Sequence, residues 1–93
     1  MHLEYADEAA DKLDFYDEND VTLARAIDRV FGELETNPHA ARVRQTYLRP
    51  PGAYAVEVRV PGRDENYYVL WQFEEPDVVF IKYVGPAKAR LGI

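Results

Sequence analysis

The sequence predicts an α+β domain in which an N-terminal helical hairpin packs on one face of a three- to four-stranded antiparallel sheet. Three observations carry this expectation. Residues 54–85 hold three strand-like runs joined by two short polar turns. The segment before them has apolar residues at helical spacing, broken once by a polar stretch. The turns Pro61–Asn66 and Glu74–Asp77 are too short to hold crossover helices, so the three runs should pair antiparallel as a meander.

Taken in chain order, His2–Tyr5 can form a short first strand. Asp7 is a plausible cap for a helix over Glu8–Tyr16, with Ala9, Leu13 and Tyr16 as its apolar stripe. Asp17–Asp20 is a polar break, and Asp20 can cap a second helix running to about Thr36. Leu23, Ile27, Val30, Phe31 and Leu34 share that helix's inner face, and Asn37-Pro38 ends it. The short connection makes the two helices a hairpin. Ala40–Leu48 reads either as a further helical turn or as the lead into a strand, and Pro50-Pro51-Gly52 is a firm break.

In the sheet region, Tyr54–Val60 alternates, with Tyr54, Val56, Val58 and Val60 on one face and Ala55, Glu57 and Arg59 on the other. Tyr67–Phe73 is apolar on both faces except at Gln72, as a central strand would be. Val78–Val84 places Val79, Ile81 and Tyr83 on one face and Lys82 on the other. The helices should therefore meet Val56, Val58, Val69, Trp71, Val79, Ile81 and Tyr83. Glu57, Arg59, Tyr68, Leu70, Gln72 and Lys82 should line the opposite, open face. Gly85-Pro86 closes the last strand, and Ala87–Ile93 is a short basic tail.

Ninety-three residues suit a single domain, and 47% apolar residues suffice for one modest core. A domain this small gains from a partner surface, which leaves room for a homodimer. Without cysteine there is no disulfide framework and no thiolate chemistry. The first twelve residues hold no apolar run of the signal-peptide kind, and no stretch reaches the length of a membrane span, so a cytoplasmic protein without a membrane role is expected. The net charge of −6 is unevenly spread. Residues 1–38 carry three basic side chains against eleven acidic ones, whereas residues 39–93 carry eight against six. An acidic protein is a poor general nucleic-acid binder, so any such surface must be local to the mildly basic sheet half.

Other constellations are thin. His2 and His39 lack partners at metal-ligand spacing, so no metal and no cofactor is expected. Asp7, Asp11 and Asp14 share a helix face and read as solvated surface. The five glycines are scattered and form no phosphate loop. Tyr67, Trp71 and Phe73 read as core, whereas Tyr68 and Phe80 are the aromatics expected on the open face, where a sheet can stack bases.

The order of local motifs resembles the RelE/ParE superfamily of bacterial toxins, including its HigB-like branch. Leu34–Pro38 (LETNP) resembles the family's close of the second helix. Tyr54–Arg59 (YAVEVR) resembles its Tyr-x-x-Glu-Leu-Arg strand, and Tyr67–Trp71 (YYVLW) its Tyr-Arg-Val-Leu-Tyr strand. Val78–Gly85 (VVFIKYVG) resembles the final strand. The likeness spans nearly the whole chain.

This resemblance implies the toxin of a type II toxin–antitoxin pair, with a cognate antitoxin as partner. Two activities come with it. One is ribosome-dependent, metal-independent cleavage of mRNA, which needs cations beside an anionic transition state and groups that accept and donate a proton. The other is non-catalytic inhibition of DNA gyrase; an inactive, repurposed member is a third outcome. For the first, Arg59 and Lys82 would hold the phosphate, Tyr68 would contact a base or a proton, and Arg49, Lys88 or Arg90 would add RNA-binding charge. The sequence departs from the nuclease pattern twice: Tyr68 stands where the family strand has arginine, and Pro86 where His or Lys follows the last strand's glycine.

Overall fold

The computed structural model describes residues 2–44, 46–49 and 52–86. Pro50, Pro51 and the tail with Lys88 and Arg90 lie outside the described residues. In chain order the elements are β1 (His2–Tyr5), α1 (Asp7–Asn19), α2 (Val21–Thr36), a 3₁₀ turn (Ala41–Val43), β2 (Thr46–Leu48), β3 (Ala53–Val58), β4 (Tyr67–Glu74) and β5 (Val78–Pro86).

The expected α+β architecture is present, but the sheet differs from the three- to four-stranded antiparallel expectation. Among the described residues it has five strands in the order β1-β5-β4-β3-β2 and is mixed. The β2–β3, β3–β4 and β4–β5 pairs are antiparallel. β1 enters parallel to β5, pairing Leu3 with Val79 and Tyr5 with Ile81. The helical hairpin carries the chain away from β1, and the strand is joined only by the last one formed, which runs in the same direction. The ambiguous Ala40–Leu48 segment divides into the 3₁₀ turn and β2.

Asp20 acts as expected at the start of α2, accepting a hydrogen bond from the Leu23 N–H at 3.3 Å. Asp7 does not cap α1. It is the first helical residue, Ala6 occupies the cap position without a side-chain bond, and Asp7 and Glu8 instead place negative charge in the first turn, where the helix dipole favours it. α1 also runs on through Asn19, so the hairpin turns on Asp20 alone. α2 buries Leu23, Ala24, Ala26, Ile27, Val30, Phe31 and Leu34. These meet Val56, Val58, Val69, Trp71, Val79, Ile81 and Val84 from the sheet. Each fully buried large side chain contributes about 1.5–3 kcal/mol relative to exposure. Trp71 lies at the centre of this core, its indole N–H donating to the Val43 carbonyl at 3.1 Å, so the only polar atom of the ring is satisfied.

The expectation that Tyr83 meets the helices is not met. The β4–β5 register pairs Trp71 with Ile81 but Leu70 with Tyr83, so Lys82 is an extra residue in β5. This bulge reverses the alternation. Beyond it Val84 returns to the helix side, while Tyr83 lies on the opposite face with Ala53, Ala55 and Leu70 in a second small buried cluster. That face is therefore not open throughout: Leu70 is 1% exposed.

Tyr83 turns its ring over Gly85 and donates its hydroxyl to the Pro86 carbonyl at 2.9 Å. A Cβ at Gly85 would lie 2.6 Å from that hydroxyl oxygen, and Gly85 has φ +156°, which side-chain-bearing residues rarely adopt. Gly85→Ala should therefore cost about 1–3 kcal/mol in a urea unfolding titration.

The loop after β3 is tied to the hairpin by a two-pronged ion pair, Arg63 to Asp20 at 2.6 and 2.7 Å. The guanidinium, then burial set against it, places the Asp20 carboxyl below its ordinary 3.8. A lowered folded-state value means that protons bind the unfolded chain more readily, so the pair's contribution is complete above 3.8 and disappears as pH falls through the lower folded value. Arg63→Ala should lower the urea midpoint by a constant small amount between pH 7 and about 4, and the difference from wild type should close below that.

Candidate functional site on the sheet face

Of the sequence-predicted site residues, Tyr68 and Lys82 lie on the face of the sheet turned away from the helices, and Arg59 stands just beyond the end of β3 beside it. β3 supplies Glu57, which pairs across the ladder with Tyr68 of β4, and Tyr68 in turn pairs with Gly85 of β5. Arg59 follows the end of β3 on the same side as Glu57, and its guanidinium donates to the Glu57 carboxylate at 2.9 Å. The arginine side chain is 84% exposed and that of Glu57 29% exposed. An ion pair this open contributes little to stability, so Arg59 can exchange its carboxylate for another anion at small cost. Tyr68 is half-buried and packs against the Ala53, Ala55, Leu70 and Tyr83 cluster. That packing fixes the Tyr68 ring, and the ladder sets the residue directly opposite Glu57.

Lys82 stands apart from this group. The bulge sets it opposite the Leu70–Trp71 step, and its ammonium donates to the Gln72 side-chain carbonyl at 3.3 Å. At about 3.3 Å per strand residue, Arg59 and Lys82 are roughly 15 Å apart along the sheet. One phosphate cannot bridge that distance; an extended polynucleotide strand can. Arg49 is exposed in the turn after β2, at the end of β3 remote from Arg59.

The arrangement thus brings Arg59 and Tyr68 into one neighbourhood and adds a carboxylate, Glu57, that sequence reasoning did not assign a role. The signal for Glu57 was available: it alternates with Arg59 on the same strand face. A carboxylate, a phenol and an exposed guanidinium can serve as a proton acceptor, a proton donor and an anion holder, the groups a phosphoryl transfer without a metal requires. Among the described residues no cluster of three His, Asp or Glu side chains is placed to hold a metal ion.

His39 lies elsewhere. Its ring packs against Phe73 at 5.3 Å between centroids, and Phe73 belongs to the helix-side core. Arg44, also unassigned from sequence, is half-buried on that side. It donates to the Pro38 carbonyl at 2.6 Å and to the Tyr54 hydroxyl at 3.3 Å, with its guanidinium over the rings of Tyr54 and Trp71. These contacts make Arg44 a packing residue that fastens the 3₁₀ turn to the sheet. Among the described residues no helix is long and apolar enough to cross a membrane.

No protein-family model and no curated protein matches this sequence. Among solved structures the chain is similar to the YoeB/ParE toxin from Agrobacterium tumefaciens, with a TM-score of 0.66 over 92% of this chain and 98% of that one at 11% sequence identity. A likeness of this extent at so low an identity is one of backbone architecture: the chain shares the fold of that toxin, in agreement with the motif order along the sequence.

Proposed function

We propose that the protein is the toxin of a bacterial type II toxin–antitoxin pair, acting in the cytoplasm on mRNA in the ribosome, and held inactive by a cognate antitoxin. The observation that carries this reading is the Glu57, Arg59 and Tyr68 group on the sheet face of a chain with a toxin fold. In the proposed reaction Glu57 accepts the proton of the ribose 2′-hydroxyl, and that oxygen attacks the adjacent phosphorus. The bond to the 5′-oxygen of the next nucleotide breaks, with Tyr68 supplying the proton that the leaving oxygen takes up. A 2′,3′-cyclic phosphate and a 5′-hydroxyl result, with no net redox change and no metal. Arg59, released from Glu57, holds the phosphate whose charge grows in the transition state. Lys82 and Arg49, toward the other end of the strands, hold the RNA beyond the scissile phosphate, and Lys88 and Arg90, outside the described residues, add RNA-binding charge.

A second reading is favoured by specific residues. Tyr68 and Pro86 replace the arginine and the His or Lys of the nuclease pattern, which suits non-catalytic inhibition of DNA gyrase. Expression from a tightly repressed promoter separates the two. The ribonuclease reading expects growth arrest preceded by a fall in pulse-labelled protein synthesis. Arrest with translation first intact and supercoiling lost supports gyrase, and normal growth with soluble protein supports a repurposed fold.

Under the ribonuclease reading, Arg59→Ala and Glu57→Gln should each reduce the rate of mRNA cleavage by about 10²-fold or more, measured with the soluble variant on purified ribosomes. Lys82→Ala should act mainly on the apparent affinity and be partly rescued by lower salt. An Arg59→Ala protein that arrests translation as fast as wild type would remove Arg59 from the site.

A further inference from the structure

The groove between β1 and α2 is not explained by the packing of the chain or by the sheet-face site. It holds about 450 Å³ and is lined by Leu3 and Tyr5 from β1 and by Asp28, Phe31, Gly32 and Glu35 from α2. It runs on into a depression of about 330 Å³ between the two helices, which shares Tyr5, Asp28 and Phe31 and adds Asp14 and Asp17. Its floor is aromatic: the Tyr5 and Phe31 rings are 5.7 Å apart, and Tyr5 is 40% exposed.

Gly32 gives the groove an unusual feature. It lies inside α2, where alanine would favour the helix by about 1 kcal/mol. Yet a Cβ there would meet no heavy atom within 4 Å. Packing within the chain therefore does not require glycine, and the space above it is what a closely approaching second backbone would use.

The electrostatics of the groove are one-sided. Asp14, Asp17, Asp28 and Glu35 rim it, and among its described lining residues His2 is the only basic side chain, lying 3.7 Å from Glu4. Burial, followed by Glu35 and Asp28, raises the Tyr5 hydroxyl above its ordinary value of 10, as a negative field at the floor would. An apolar floor beneath an acidic rim is complementary to a peptide that alternates apolar and basic side chains.

We propose that this groove docks a basic, partly apolar segment of a partner protein. Its apolar side chains rest on Tyr5 and Phe31, its lysines or arginines face Asp28 and Glu35, and its backbone passes over Gly32. The proposal goes beyond the ribonuclease reading and does not depend on it.

The test titrates the ¹⁵N-labelled protein with a twelve-residue lysine–leucine peptide and with its glutamate–leucine counterpart, following amide shifts. The lysine peptide should shift Leu3, Tyr5, Asp28, Phe31 and Gly32, lose affinity at high salt, and leave the glutamate peptide without effect. Gly32→Leu, which fills the groove without changing charge, should weaken binding about tenfold. Asp28→Asn with Glu35→Gln, exposed positions whose replacement keeps the fold, should do the same and carries the test if Gly32→Leu fails to fold. No binding by wild type, shifts centred on the opposite sheet face around Glu57 and Tyr68, equal binding of the glutamate peptide, or unchanged affinity in the folded variants would each overturn the proposal.

Discussion

Ile81 and Tyr83 face consecutive residues of β4, and Lys82 between them is an extra residue in the register of that ladder. The rest of the sheet depends on this one extra residue. It lets β5 place Val79 and Ile81 in the core, then Val84 in the core again, while Tyr83 and Gly85 come to lie on the far face beside Leu70 and Tyr68. A regular strand would have buried Tyr83 among the helices and exposed Val84. The bulge also aims Lys82 across β4 toward Gln72. The composition of the sheet-face site and the position of its outlying cation are thus two results of the same local irregularity.

Charge is segregated along the same division. Helix packing occupies one face of the sheet and leaves the acidic side chains of α1 and α2 in solvent, where they cannot disturb the other face. That separation allows a protein of net charge −6 to keep Arg59 and Lys82 on the side of the sheet away from the acidic helices. It also gives the molecule two surfaces of opposite preference: an acidic groove over Tyr5 and Phe31, and a mildly basic sheet face around Glu57 and Tyr68. The ion pair of Arg63 with Asp20 links them, since it fastens the loop leading out of β3 to the turn of the hairpin.

The helical hairpin, the strand order from β3 to β5 and the core positions of Trp71 and Val69 were legible because each rests on periodicity that local sequence carries. β1 was legible as a strand but not as a parallel neighbour of β5, since nothing within four residues specifies a partner at the other end of the chain. The face of Tyr83 was illegible for a different reason: a bulge leaves no mark in composition, and one inserted residue inverts every later assignment. Glu57 was visible as an outward-facing carboxylate. Its pairing with Arg59 and its register with Tyr68 give it a possible chemical role, and these required the ladder. Gly32 was hidden altogether, because only the structure reveals that nothing occupies the space beside it.

The most direct test of the account is to map the ends of a defined mRNA after incubation with the purified protein, with and without purified translating ribosomes and with no added metal beyond what the ribosomes need. New 5′-hydroxyl ends should form inside the coding sequence and depend on ribosomes and on Glu57. Intact mRNA on ribosomes that have nonetheless been exposed to soluble, folded protein would contradict it.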